Sequence, residues 1–69
     1  MNLEDARYYI YLKKDGSISY DSRFLREFTG NLDLLHSCLE DNIVDSDYED
    51  DDEIIDWENV FKDYEQANI

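Results

Sequence analysis

Hydrophobic and polar positions change rhythm along the chain. Residues 8–12 read Tyr-Tyr-Ile-Tyr-Leu and residues 17–20 read Ser-Ile-Ser-Tyr. The first is rich in the aromatic and β-branched types that suit a pleated, half-buried surface, and the second alternates cleanly. Lys13-Lys14-Asp15-Gly16 lies between them. Asp-Gly at that place predicts a hairpin closed by a type I′ turn, which needs positive φ at both central residues. The expected hairpin spans about 8–20 and puts Tyr8, Ile10 and Leu12 on one face with Ile18 and Tyr20. Tyr9 and Tyr11 fall on the opposite face, the place expected to meet a partner or a second copy of the chain.

From residue 21 the rhythm becomes helical. Asp21 or Ser22 suits an N-cap, and Phe24, Leu25 and Phe28 follow at helical spacing. Gly30 is the expected C′ residue, which gives a helix at about 22–29. A third strand over 23–28, closed by Thr29-Gly30-Asn31, is the competing reading. Asn31 can cap a second helix, about 31–43, with Leu32, Leu35, Leu39 and Ile43 on its apolar stripe and Leu34 and Cys38 beside it. Residues 45–53 are an acidic run broken by Ser46 and Tyr48. Beyond it Ile54, Trp57, Phe61 and Tyr64 recur as one stripe and predict a third helix at about 52–66. Asp51, Asp52 and Glu53 would then lie at its positive N-terminal end. The sum is an α+β chain: an N-terminal β-hairpin packed on two or three helices, a single small domain over 1–69.

Composition supports a packed core. The chain is 42% hydrophobic and 14% aromatic, too rich in large side chains for a wholly disordered acidic polymer. With 69 residues it can hide only about 60% of its unfolded surface, so the core must be compact.

Charge changes the picture most. Net charge is −13, with the halves unequal. In residues 1–32, Glu4, Asp5, Asp15, Asp21 and Glu27 are balanced by Arg7, Lys13, Lys14, Arg23 and Arg26. Residues 33–69 set every other acid against Lys62 as their one Lys or Arg, so this half carries the whole −13. Such asymmetry points to electrostatic binding of a basic surface. It also excludes direct nucleic-acid binding, although Tyr8, Tyr9, Tyr11 and Tyr20 could otherwise suggest base stacking. No apolar run reaches the length that spans a bilayer. The start, Met-Asn-Leu-Glu-Asp, lacks the pattern of a signal peptide. Cys38 is the single cysteine, which suits a reducing compartment. The expected location is the cytoplasm, that of a host cell if the protein is virus-encoded.

On the expected third helix, Asp52, Asp56, Asn59 and Asp63 share one sector opposite the apolar stripe, and a helix extended backwards adds Asp45 and Glu49. Carboxylates four residues apart on a helix rise by about 6 Å. One DNA strand presents a phosphate about every 3.4 Å along the axis, so such a row could occupy an Arg/Lys groove built for a backbone. The bland alternative is a solvated face. Against it, like charges at i,i+4 cost stability, and solubility alone needs a net charge of only about 2–8. The expected partner-binding residues are Asp45, Asp47, Tyr48, Glu49, Asp50, Asp51, Asp52, Glu53, Asp56 and Asp63. Trp57 could flank them with Tyr48, but a core role suits it better.

Other chemistry ranks lower. Asp47, Glu49, Asp51, Ile54 and Glu58 overlay an EF-hand loop, yet Asp52 stands where the turn glycine belongs. Calcium binding is therefore a minor alternative, and no metal or cofactor is expected. His36 and Cys38, two apart on a helix, face different directions and form no catalytic dyad. The chain is expected not to be an enzyme.

In length, in its acidic half and in the aromatic interleaving of Asp-Tyr-Glu-Asp-Asp-Asp-Glu-Ile-Ile-Asp-Trp-Glu (47–58), the sequence resembles the small acidic inhibitors of phages and other mobile elements. Anti-restriction DNA mimics, uracil-DNA glycosylase inhibitors and several anti-CRISPR proteins belong to that class. The resemblance implies a viral DNA mimic that occupies the nucleic-acid groove of a basic host defence or DNA-processing protein. An acidic adaptor or chaperone-like protein, or a transcription regulator docking through the same acids, is the alternative.

Overall fold

The structure, a computed structural model, describes residues 1–46, 49 and 51–67. Its order is α1 (Leu3–Ala6), β1 (Ile10–Leu12), β2 (Ile18–Tyr20), α2 (Ser22–Glu27), α3 (Leu32–Asp41), β3 (Ile43–Ser46), β4 (Glu53–Ile55) and α4 (Trp57–Ala67). The class is α+β, with an N-terminal β-hairpin as expected. α1, a single turn capped by the Asn2 carbonyl side chain, is additional to the expected helices.

β1 and β2 pair antiparallel, Ile10 opposite Tyr20 and Leu12 opposite Ile18. The turn differs from the expected type I′. Gly16 alone has positive φ, at 90°, among the described residues. The Gly16 N–H donates to the Lys13 carbonyl at 3.0 Å and the Lys13 N–H to the Ser17 carbonyl at 2.7 Å. That is a three-residue loop with a glycine bulge, in which only one position must be left-handed. The Asp15 carboxylate accepts from the Ser17 hydroxyl at 2.6 Å and the Ser17 N–H at 2.9 Å. Those bonds hold Asp15 in the ordinary region of φ and lower its carboxyl pKa, the hydroxyl bond contributing most. Tyr8 does not join the core face; it lies in the turn before β1 and is 65% exposed. Tyr11 is exposed as expected, whereas Tyr9 is half-buried against the core.

Residues 22–27 are helical, so the strand alternative for 23–28 falls. The Asp21 carboxylate caps α2 by accepting from the Arg23 N–H at 2.8 Å. Gly30 is not a left-handed C′ residue, since its φ is not positive. Its value is steric. A Cβ there would collide with the Tyr64 hydroxyl and come within 2.7 Å of the Phe28 ring. The Asn31 N–H donates to that same Tyr64 hydroxyl at 2.8 Å. Glycine thus lets α4 dock against the α2–α3 junction.

Asn31 caps α3, which buries Leu35, Cys38 and Leu39. The helix stops at Asn42, whose Nδ2 donates to the Cys38 carbonyl at 2.8 Å. Ile43 therefore belongs to β3 and not to the helical stripe. With Ala6, Ile10, Leu12, Phe24, Val60 and Tyr64, the three buried α3 residues form the core. Phe24 and Phe28 stack at 4.8 Å, and Phe28 leads on to Tyr64 at 6.5 Å.

The main correction concerns the expected helix over 52–66. Residues 53–55 are a strand, and α4 starts at Trp57. β3 and β4 form a second antiparallel hairpin, with Ile43 opposite Ile55, Asp45 opposite Ile54 and Ser46 opposite Glu53. The register shifts between Ile43 and Asp45, which makes Val44 the extra residue of a bulge. Four β-branched side chains, Ile43, Val44, Ile54 and Ile55, favour these strands. A helix running back through 45–56 would instead stack acids at i,i+4. Asp56 sits at the N-cap position, its Oδ1 accepting from the Asn59 N–H at 3.4 Å. The buried positions of α4 are Val60 and Tyr64, with Trp57 and Phe61 half-buried beside them. Trp57 packs against the core, and Ile54 does not.

Candidate acidic interface

One hairpin and two helices distribute the acids of the second half. The expected single-helix row does not form. Asp45 is on β3, Asp52 precedes β4, Asp56 precedes α4 and only Asp63 lies within α4. Asp51, Asp52 and Glu53 accordingly sit at no helix N-terminus. Asp47, Tyr48 and Asp50 fall outside the described residues, and with them Asp47 of the EF-hand overlay.

Several acids have structural work. The Asp52 carboxylate is half-buried and lies 2.7 Å from the Lys13 ammonium. Lys13 and Asp52 also form a backbone bridge, and the Lys14 N–H donates to the Asp51 carbonyl at 2.8 Å. The acidic hairpin is thereby clipped to the neutral one. Glu53 accepts from the Ser46 hydroxyl at 3.0 and 3.1 Å on its two oxygens. Asp56 caps α4 and accepts from Asn59 Nδ2 at 2.9 Å. Asp63 accepts from Asn42 Nδ2 at 3.0 Å, tying α4 to the end of α3. Asp45 accepts from the neighbouring Ser46 N–H at 2.8 Å and its residue is exposed. Glu49 and Asp51 are exposed as well.

The structure adds acids that the single-row reading passed over. Asp33, Glu40 and Asp41 are exposed on α3, and Glu58 and Glu65 on α4. The negative surface therefore wraps α3, the second hairpin and α4. It also carries apolar side chains. Val44 is 61% exposed, Ile54 46% and Ile43 42%. The paired β-branched residues at 43–44 and 54–55 were the signal for both the strands and this surface.

His36 and Cys38 have different surroundings. His36 Nε2 lies 2.7 Å from the Gly16 carbonyl and 3.0 Å from Glu40 Oε1. Cys38 is buried, and burial followed by the nearby Asp63 and Asp41 carboxylates raises its thiol pKa. Among the described residues no three His, Cys, Asp or Glu side chains converge as a metal site requires. No described helix is long and apolar enough to cross a membrane. In comparisons with known proteins, no family model, no curated protein and no solved structure matches the chain.

Proposed function

We propose that this protein is a non-enzymatic, acidic inhibitor that occupies the nucleic-acid-binding groove of a basic protein and excludes DNA from it. The observation that carries the reading is the one-sided charge: residues 33–69 hold the whole −13, and nine of their described acids are exposed along α3, the second hairpin and α4. Self-repulsion of this size opposes folding, and it exceeds what solubility requires, about 2–8 charges for a small domain. A positive surface on a partner offsets that repulsion on binding.

Mimicry in this molecule comes from a curved field and not from a ruler of carboxylates on one helix. Acids on β3, in the segment before β4 and along α3 and α4 face a partner from several directions, as phosphates on two strands do. Competition of this kind needs no chemistry, only an affinity above that of the nucleic acid.

A displacement experiment tests it. The partner captured from the native cell after nuclease treatment is loaded with a fluorescent DNA duplex, and the acidic protein is titrated in. Loss of duplex anisotropy in step with protein binding is the expected result. A stable ternary complex of partner, duplex and acidic protein would overturn mimicry and favour the adaptor reading.

A further inference from the structure

The outer face of the second hairpin has a composition that a phosphate mimic does not need. Ile55 packs against the core, and its cross-strand partner is Ile43. Ile54, one residue earlier, points to the other face opposite Asp45. The bulge between Ile43 and Asp45 leaves Val44 as the extra residue beside Asp45, and Val44 is the more exposed, at 61% against 46% for Ile54. Scattered apolar residues on a surface need no explanation. Here they belong to one strand pair, Val44 next to Asp45 in the chain and Ile54 opposite it, and grouped exposed apolar side chains mark interaction sites.

We propose that Val44 and Ile54, with Ile43 at the margin, anchor the acidic surface in an apolar depression rimmed by Lys and Arg on a partner protein. This deepens the proposed function and rests on it. Charge selects the occupant. A second copy of the chain would bring a second anionic face against Asp45 and its neighbours, which like-charge repulsion disfavours. A basic rim satisfies Asp45, Asp51 and the α4 acids while the centre is desolvated, the usual division between an apolar centre and a polar rim. Binding through such a centre survives salt that screens the rim.

Two short synthetic peptides provide the test, one alternating Lys with Val and one of equal length and charge alternating Lys with Ser. Titrations are read by amide chemical shifts and calorimetry at low and high salt. The Lys/Val peptide should bind the wild-type protein about tenfold more tightly, a difference of about 1.4 kcal/mol, with the largest shifts around Val44 and Ile54. Val44→Thr with Ile54→Thr keeps β-branching, so the hairpin should survive by circular dichroism, and it should abolish the difference between peptides. Val44→Thr alone serves if the double variant unfolds, and should reduce the difference. Equal binding of both peptides, or a difference that the substitutions leave intact, overturns the anchor but not the acidic reading. Failure of both peptides to bind at low salt overturns the two together.

Discussion

The Lys13 ammonium and the Asp52 carboxylate lie 2.7 Å apart, and the same two residues pair through their backbones. One comes from the neutral half of the chain and the other from the acidic run. The contact fixes the acidic hairpin to the tyrosine-rich one, so a residue of the negative surface also serves as a fastener. Both side chains are about a third exposed, 36% and 31%, which places the pair among partly screened ion pairs.

A double-mutant cycle with Lys13→Met and Asp52→Asn should therefore give a modest coupling, about 0.2–1 kcal/mol, read from urea unfolding. Added salt should reduce it. A coupling of zero at low salt would mean that this side-chain pair adds nothing to the backbone contacts between the hairpins.

Gly30 and Tyr64 form the second junction. Gly30→Ala should destabilise the fold by about 1–3 kcal/mol, because the new Cβ overpacks the Tyr64 hydroxyl and the Phe28 ring. Tyr64→Phe should cost about 0.5–1.5 kcal/mol by removing the acceptor of the Asn31 N–H. Tyr64→Phe also removes the atom that Gly30→Ala would strike, so the double variant should lose less than the two single losses added. Full additivity would contradict the steric account of this glycine.

Cys38 gives a pH prediction with a definite sign. Burial, Asp63 and Asp41 raise its thiol pKa in the folded protein. The protonated thiol is favoured by folding, so its contribution is complete below the ordinary thiol range. It is lost as pH rises from that range through the folded-state value. Alkylation or disulfide exchange at mildly alkaline pH should thus be slow in the native state and fast in urea. Cys38→Ala should flatten the alkaline end of the stability profile. Equal reaction rates in native and unfolded protein would show that the thiol is neither buried nor shifted.

Much of the first two-thirds of the fold is legible in the residues themselves. Asp15-Gly16 between an aromatic run and an alternating one marks a hairpin, Asp21 and Asn31 mark helix starts, and Leu35, Cys38 and Leu39 mark a buried face. Those signals are local. The second hairpin is harder to read because its pairing is not. Ile43-Val44 and Ile54-Ile55 meet only when the acidic run between them closes, and that run offers neither glycine nor proline to mark a turn. Ile54, Trp57, Phe61 and Tyr64 also imitate a helical stripe, so a short apolar run fits both periods. Asp56 settles the matter locally, as the N-cap at which α4 begins. The acidic surface is therefore legible in its charge and hidden in its shape.

Like-charge repulsion predicts a response to ionic strength. Melting temperature should rise from low to moderate salt, because screening weakens repulsion among the acids of α3, the second hairpin and α4. The Lys13–Asp52 attraction is screened too, but it is a single pair against many repelling ones. A falling or flat curve would show that the acids are better compensated than their exposure implies.

The most direct test neutralises exposed acids and leaves the fasteners in place. Asp41→Asn, Asp51→Asn, Glu58→Gln and Glu65→Gln avoid Asp52, Asp56 and Asp63, whose carboxylates hold Lys13, the start of α4 and Asn42. The combined variant should keep its circular dichroism spectrum and lose at least about tenfold in its ability to displace a labelled duplex from the captured partner. Displacement at the wild-type concentration by a folded, neutralised protein would contradict the claim that the negative field does the binding.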